Sequence, residues 1–342
     1  MDVRDKKQRL CITQLPDDLL SLIYRKLNEK RDQVCFRLTA DHFLDIAIIS
    51  CKCLDVTSST RLSKSYNLDS IVLGRFLDRF RHLDSPSSIS VLNLLYFGIT
   101  DNGLETLTRY CNKSLISVTL TSCYHITNTG ISFLKQNCPQ LRSLKIDCCK
   151  NVVGVTSQQG FSSTLTYLQA DAHALYPTGF LSGGGLEYLV VVFHHIEKKI
   201  QKYKNEIELG LAAIGSGIAK NLKILHFDYY SYVTDDCIIK VSMGCPFLQE
   251  LKLVDCTGLG LPGWVSIGLH CQNLETLHVN SVENLCDRGL LALGHCCKLS
   301  VLYMYYCPQI TSVGIHEFKT QRPDVNIIRT IGTPCFPKWT QY

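Results

Sequence analysis

The 342-residue sequence has no long hydrophobic run and no strong excess of one charge. No stretch reaches the roughly 18 consecutive apolar residues that a membrane-spanning helix needs. The N-terminal MDVRDKKQRL is charged and lacks the apolar core of a signal peptide. Thirty-five basic residues stand against 30 acidic ones, and this net charge of +5 is too small and too dispersed to indicate nucleic-acid binding. We therefore expect a protein of the cytoplasm, the nucleus or both, with neither a membrane nor a nucleic acid as partner.

The 18 cysteines lack the spacing of a metal site. No two of them lie three positions apart, which is the usual spacing of paired zinc ligands. Disulfides fit poorly with an intracellular chain. The sequence also has no nucleophile–base arrangement and no phosphate loop, and we interpret His194 and His195 as part of a loop. We expect no metal, no cofactor and no enzymatic activity.

An internal repeat of about 26 residues runs through most of the chain. Each unit carries an aliphatic anchor that is followed three residues later by a second aliphatic residue. The anchors are Ile89, Leu115, Leu141, Leu165, Leu186, Leu222, Leu248, Leu274, Leu299 and Val325. Segments such as LISVTL alternate apolar and polar residues, which predicts a short strand with one buried face. Segments such as ITNTGISFL then predict a short helix, with Ile131 and Leu134 on its inner face.

One strand and one short helix at this period predict a leucine-rich-repeat (LRR) solenoid of the α/β class. Units of this kind stack into a horseshoe arc, with parallel strands on the concave side and helices on the convex side. Cysteines keep the phase of the repeat, so we expect most of them to be buried between units. Those leaving the strand are Cys123, Cys149, Cys256 and Cys307, and those closing the unit are Cys111, Cys138, Cys245, Cys271 and Cys297. Thr127 and Asp287 are candidate helix N-caps.

The segment LKLVDCTGLGLPGW has the strand-then-Gly-x-Gly-x-x-Gly order of a dinucleotide-binding turn. However, Gly263 keeps the phase of Gly130 and Gly314, which open the helices of other units. We therefore favour the repeat over a cofactor site. On this interpretation Gly258 and Gly260 are not required by the repeat and loosen one turn.

Two regions depart from the period. An insert of about ten residues at 195–208 has apolar residues at helical spacing, and it is either a solvated surface excursion, which we favour, or a prong that binds a partner. The units from Val152 to Gly185 are weak, and we expect irregular loops there with the strand pairing kept.

Residues 11–56 do not follow the repeat. The segment LPDDLLSLIYRKL predicts a helix with a broad apolar stripe, and two further short helices follow, the last from about His42 to Leu54. Three short helices make a small core, so part of the stripe should be buried against a partner.

The same segment resembles the first helix of an F-box. An F-box followed by cysteine-containing repeats is similar to the plant F-box/LRR proteins, as are FLSGGGLEYL and NLETLHVNSVENLCDRGLLALGH. The resemblance implies a small three-helix F-box at 11–56, a helical connector at 57–84, about ten repeats at 85–330 and a C-terminal tail at 331–342. In the family's third helix a cysteine, a basic residue and a tryptophan are usual, whereas the matching positions here are Ala40, His42 and Phe43.

The resemblance also implies a function. F-box/LRR proteins are non-catalytic substrate-recognition subunits of SCF (Skp–cullin–F-box) ubiquitin ligases, which mark targets for proteasomal degradation. The partners would be the Skp adaptor, the cullin and RING subunits, and an unknown protein target. The alternative is an LRR interaction scaffold that works outside any ligase. The residues expected to contact the adaptor are Leu15, Pro16, Leu19, Ile23, Tyr24, Leu38 and Phe43.

The target is expected on the concave face, where polar residues stand between the buried anchors. Tyrosines offer large contact area at low entropic cost, so 228–232 and 303–306 are the preferred contact regions. The alternative for any one of these residues is that it only covers a β-sheet surface. The predicted target-binding residues are Lys145, Tyr167, His226, Asp228, Tyr230, Glu250, Lys252, His278, Tyr303 and Tyr305.

Overall fold

The computed structural model describes residues 53–57, 89–95, 98–153, 163–175, 181, 184–192, 209–228 and 233–330. The seven predicted adaptor-binding residues, the connector beyond Thr57, the insert at 195–208, Tyr230 and the C-terminal tail lie outside these ranges.

The described residues form one parallel sheet of 11 strands whose spatial order follows the chain. This arrangement requires that each unit stack directly on the preceding one. The strands are β1 (Cys53–Thr57), β2 (Val91–Leu95), β3 (Ser117–Thr121), β4 (Ser143–Asp147), β5 (Tyr167–Asp171), β6 (Tyr188–Val192), β7 (Ile224–Asp228), β8 (Glu250–Val254), β9 (Thr276–Asn280), β10 (Val301–Tyr305) and β11 (Asn326–Thr330).

Short helices lie between the strands. They are α1 (Asp101–Tyr110), α2 (Asn128–Asn137), α3 (Asp235–Gly244), α4 (Leu261–His270), α5 (Asp287–Leu293) and α6 (Ser312–Gln321). A 3₁₀ turn, Ala172–Leu175, follows β5, and a π-helical turn, Ile214–Ile218, precedes β7. β5 pairs with both β4 and β6, which confirms that strand pairing survives in the weak units. Within the described ranges no helix has the length and apolar content needed to cross a membrane.

The predicted period is confirmed by burial. Every anchor is 3% exposed or less, and Ile131 and Leu134 on the inner face of α2 are fully buried. Along β2, β3 and β4, the second and fourth residues are buried and the first, third and fifth are partly exposed. The buried residues of strands and helices form one continuous core. We call the opposite, partly exposed face of the sheet the concave face.

The turns that leave β3, β4, β8, β9 and β10 share one backbone form. Ser122, Cys148 and Asp255 have φ of 54°, 56° and 55°, in the left-handed region, and Ser281 and Tyr306 do the same at 53° and 49°. The next residue then points into the core, as Cys123 does. Its thiol donates to the carbonyl oxygen of Leu94 in the preceding unit at 3.5 Å. A small, weakly polar side chain fits this position because it fills little volume and still satisfies a carbonyl.

Most of the cysteines between Cys111 and Cys307 are buried in the core. All 13 cysteines in this part of the chain are free thiols, and the described ranges contain no group of three His, Cys, Asp or Glu side chains that could hold a metal ion. Burial raises the pKa of Cys138 to about 12, so this thiol stays protonated at neutral pH. The prediction that Cys297 closes its unit is wrong. Because α5 ends early, at Leu293, Cys296 takes the buried position and Cys297 is exposed.

Two predictions at the ends of the sheet are wrong. The sequence predicts a helix that reaches Leu54, whereas Leu54 lies in β1 and pairs with Leu92 of β2, so the sheet begins one strand before the first anchor. In the last unit, Ile327 rather than Ile328 pairs with Leu302. The last strand starts directly after its anchor Val325, which removes one residue from the unit and shifts its register.

Carboxylates at the starts of α1, α3 and α5 link each of these helices to the helix start of the next unit. Asp101 Oδ1 accepts hydrogen bonds from the backbone N–H groups of Thr127 (2.8 Å) and Gly130 (3.0 Å). Asp287 accepts from the N–H of Thr311 at 2.8 Å and from its hydroxyl at 2.6 Å. These bonds satisfy N–H groups that a helix leaves free at its N-terminus.

Thr127 is confirmed as the N-cap of α2, since its hydroxyl accepts from the N–H of Thr129 at 3.1 Å. The prediction that Asp287 caps its own helix is wrong. Cys286 is the N-cap of α5, and the Asp287 carboxylate serves the following helix instead.

The same link explains the glycine triplet. Asp235 Oδ1 accepts from the N–H groups of Gly260 (2.8 Å) and Gly263 (3.0 Å). A Cβ on Gly263 would lie 2.8 Å from that oxygen and would overlap the Leu259 side chain, so a glycine is needed there for space. Gly263 therefore opens a helix as predicted. The interpretation of Gly260 as dispensable is wrong, because Gly260 is the N-cap of α4 and donates to Asp235.

Candidate functional site

The candidate site is built from concave-face positions on β5 to β10. Because neighbouring strands are in register, equivalent positions lie side by side, as His226, Lys252 and His278 do. Residues at the first, third and fifth strand positions consequently form one continuous surface. The site residues on this surface are Tyr167, Tyr188, His226, Asp228, Glu250, Lys252, His278, Tyr303 and Tyr305.

Glu250 is the centre of the site. Its Oε1 lies 2.8 Å from Nε2 of His226 and 3.7 Å from Nε2 of His278. The hydrogen bond from His226 and the nearby His278 and Lys252 side chains hold the pKa of Glu250 below its usual range despite partial burial. The side chain is 31% exposed, so this carboxylate is ionised at neutral pH and open to solvent.

Two tyrosines extend the site from His226. The ring centroids of Tyr188 and His226 are 5.3 Å apart, and the two rings meet edge to face. The ring centroid of Tyr167 lies 4.9 Å from that of Tyr188, on the side away from His226. The Tyr188 hydroxyl is 3.3 Å from Nδ1 of His226. A neutral imidazole with its proton on Nε2 satisfies both neighbours, because Nε2 then donates to Glu250 and Nδ1 accepts from Tyr188. Burial, with the nearby carboxylates, raises the pKa of Tyr188 to about 12, so its hydroxyl keeps its proton.

Stacked rings extend the site on the other side of Glu250. The His278 and Tyr303 rings are parallel within 1° at a centroid distance of 4.3 Å, and Tyr305 follows at 6.4 Å from Tyr303. Burial lowers the pKa of His278 below its ordinary value of 6.5 because it disfavours the imidazolium. At neutral pH this half of the site is therefore an uncharged aromatic surface.

Asp228 and Lys252 form the remaining charged pair. Lys252 Nζ lies 2.8 Å from Asp228 Oδ1, which is close enough for an ion pair. The contact lacks hydrogen-bond geometry, so Asp228 Oδ1 accepts no hydrogen bond from a described residue. Both side chains are about one-quarter exposed, at 26% and 24%. The charges of Asp228 and Lys252 therefore cancel. Glu250 is the other carboxylate of the cluster, and the ion-pair partners in its direct contact are the imidazoles of His226 and His278.

Most of the predicted concave-face residues meet in this cluster. Lys145 does not: it lies on β4 beside Gln169, beyond the tyrosine end. Tyr230 is outside the described residues. Sequence reasoning missed Tyr188, which joins Tyr167 to His226, although it stands two residues after an anchor, as Tyr167 and Glu250 do. The assignment of these residues to target binding stays a prediction.

The chemistry of the cluster suits non-covalent contact. It offers rigid aromatic area for stacking and for contact with alkyl groups, together with one exposed carboxylate. The His226 imidazole, which could serve as a base elsewhere, is engaged by Glu250 on one nitrogen and by Tyr188 on the other.

Comparison with known proteins finds relatives that are described as F-box/LRR-repeat proteins. F-box/LRR-repeat protein 12 of Arabidopsis thaliana is 35% identical over 304 residues, which covers 72% of this chain and 74% of that protein. F-box/LRR-repeat protein 4 of Bos taurus is 22% identical over 214 residues, covering 60% of this chain and 34% of that protein. No protein-family model matches the chain.

Among solved structures, the crystal structure of the Rad7 and Elc1 complex in yeast contains a chain that aligns with a TM-score of 0.52. The alignment covers 84% of this chain and 69% of that one at 17% identity, so the likeness is one of fold alone.

Proposed function

This chain belongs to the F-box/LRR-repeat proteins, and on that premise we propose that it is the substrate-recognition subunit of an SCF-type ubiquitin ligase. The F-box would bind the Skp adaptor, and through it the cullin and RING subunits. The concave face would hold the protein to be ubiquitinated and sent for proteasomal degradation. The observation that carries this proposal is the aromatic and charged surface that crosses β5 to β10 on a chain of this family.

The proposed role is positional. A receptor of this kind performs no bond chemistry of its own and speeds ubiquitin transfer by holding a target lysine near the charged enzyme. The stacking of units, with strand pairing unbroken from β1 to β11, suits this role because it fixes the strands that would contact the target relative to one another.

The proposal that the N-terminal segment binds the adaptor depends on the sequence alone. Leu15, Pro16, Leu19, Ile23 and Tyr24 form the apolar stripe of LPDDLLSLIYRKL, and large apolar residues dominate interfaces of this type. Phe43 replaces the usual tryptophan of the third helix and fills less volume. We therefore expect adaptor binding that is present and weaker than that of a family member with the tryptophan.

The test is a pair of separable variants. Leu15→Ala with Pro16→Ala should abolish co-purification with a Skp adaptor. Tyr303→Ala, on the concave face, should leave adaptor binding unchanged and serves as the matched control. Unchanged adaptor binding by the Leu15/Pro16 double variant would contradict the proposal.

Reconstitution distinguishes the ligase from the alternative scaffold. With adaptor, cullin, RING subunit and charged enzyme present, a complex that contains a substrate receptor supports ubiquitin transfer from that enzyme to the protein that the concave face holds. Assembly of the complete complex with no transfer to that protein would favour the scaffold.

A further inference from the structure

The concave face has a local charge opposite to that of the whole chain. The protein carries a net charge of +5. On β4, β7 and β8, however, the concave-face positions hold the carboxylates of Asp147, Asp228 and Glu250 and only the two ammonium groups of Lys145 and Lys252. Since Lys252 pairs with Asp228, the negative charge that remains within the aromatic cluster is that of Glu250.

Glu250 has an unused acceptor. Within the described part of the chain, its hydrogen bond and its ion-pair contacts reach Oε1, and Oε2 has no partner there. Each carboxylate oxygen has two lone pairs, so Oε2 can accept a further charged donor. The negative potential here also contributes, after burial, to the raised pKa of the Tyr188 hydroxyl.

The surroundings of this carboxylate favour a planar cation. Tyr188 and His226 lie on one side, and the parallel rings of His278 and Tyr303 lie on the other. A guanidinium group binds a carboxylate through directed N–H groups and also stacks on aromatic faces. An ammonium group would pair with the carboxylate, but it is not planar and so could not stack on the rings.

The dimensions favour an extended peptide over a small molecule. Strands in a sheet lie about 4.8 Å apart, so the five intervals from β5 to β10 span about 24 Å. An extended chain advances about 3.3 Å per residue, and about seven residues would cross the surface. The rings would contact that segment along its length and not at one end alone.

From this we propose that the concave face recognises an extended, arginine-containing segment of the target protein, with the arginine guanidinium bound to Glu250 between Tyr188 and the His278–Tyr303 stack. The inference deepens the proposed function and rests on it. It names the chemistry of the target, which the mixed charges in the sequence leave open.

The test is selection from a random peptide library displayed on phage, with the full chain bound to a Skp adaptor as bait. Wild-type protein should enrich peptides with arginine and deplete peptides with several acidic residues. Glu250→Gln removes the charge and keeps the shape, and it should reduce the affinity for the selected peptides about tenfold to a hundredfold, the range for losing a charged hydrogen-bond partner. Glu317→Gln is the matched control, since Glu317 is exposed on the convex helix α6. Glu317→Gln should leave the affinity for the selected peptides unchanged.

A double-mutant cycle places the arginine. Replacing it in the selected peptide by citrulline, which is uncharged and of similar shape, should weaken binding to wild type and have little further effect on Glu250→Gln. Additive losses would mean that the arginine binds elsewhere and would overturn the assignment to Glu250. Enrichment of peptides without basic residues, or no enrichment at all, would overturn the proposed target chemistry.

The same samples separate this inference from the function on which it rests. Failure of the wild-type chain to bind the adaptor contradicts the proposed receptor. Adaptor binding without arginine selection contradicts only the assignment made for the concave face.

Discussion

The carboxylate link from Asp235 to the next unit gives a sharp stability prediction. Asp235 Oδ1 accepts two backbone hydrogen bonds, from Gly260 at 2.8 Å and from Gly263 at 3.0 Å. Asp235→Ala leaves both N–H groups at the start of α4 without this acceptor. A hydrogen bond to a charged group contributes about 1.5–3 kcal/mol, and partial access of water reduces the sum, so we expect a loss of about 2–4 kcal/mol in the free energy of unfolding.

Two companion variants isolate the cause. Asp236→Ala removes a carboxylate from the same first turn of α3, where it is exposed, and should cost under about 1 kcal/mol because it loses only its interaction with the helix dipole. Asp235→Asn keeps an oxygen at the accepting position and removes the charge. It should fall between Asp236→Ala and Asp235→Ala.

The assay is urea unfolding followed by circular dichroism, together with hydrogen exchange of the amides at 260–263. A loss of this size should lower the unfolding midpoint by about 1 M if the slope is about 3 kcal/mol per molar urea. The Gly260 and Gly263 amides should exchange faster in Asp235→Ala than in Asp236→Ala. Equal midpoints for these two variants would refute the reasoning that the carboxylate holds one unit to the next.

Two further predictions concern packing and thiol chemistry. Gly268→Ala should lower the free energy of unfolding by about 1–3 kcal/mol despite the better helix propensity of alanine, because the added Cβ would meet a backbone carbonyl of the neighbouring helix. Gly98→Ala is the control, since Gly98 has open space around it. Equal unfolding midpoints for the two variants would contradict the close packing of Gly268 against the next helix. Exposed Cys297 should be alkylated by iodoacetamide at pH 7.5 in the folded protein. Cys138 should stay unmodified until urea is added, because it is buried and its pKa is raised to about 12. Mass spectrometry of the peptides measures both, and modification of Cys138 without urea would contradict its burial in the core.

The periodic parts of the fold are predictable because they depend on positions within one unit. An aliphatic residue at each anchor and alternation in the strand determine which side chains face the core, and those choices hold from Ile89 to Val325. The concave-face positions of His226, Glu250 and Tyr303 follow from the same alternation. The structure places them where the sequence predicts.

Contacts between units are harder to predict because they join residues 24–29 positions apart, and their pairing depends on the offset between stacked helices. Asp287 looks like a cap for its own helix, since aspartate is common at helix starts. Only the stacking shows that its carboxylate reaches Thr311 of the next unit. The role of Gly260 is hidden in the sequence for the same reason, because its N–H donates to a carboxylate of the preceding unit.

Local changes of length are the other source of error. The last unit is shorter by one residue before its strand, which shifts Ile328 out of the core position. The early end of α5 moves the buried thiol from Cys297 to Cys296. Sequence patterns that assume a constant period miss both changes, since each affects a single unit.

The central claim is tested most directly by ubiquitin transfer in a reconstituted ligase, with a protein that the concave face captures as the substrate. Wild-type chain with adaptor, cullin, RING subunit and the ubiquitin-charged enzyme should support ubiquitin transfer to that protein. Transfer should be lost in Leu15→Ala with Pro16→Ala, which removes adaptor binding, and separately in Glu250→Gln with Tyr303→Ala, which removes target binding. Transfer that persists in the second double variant, or a complete complex that transfers no ubiquitin to the captured protein, would contradict the account.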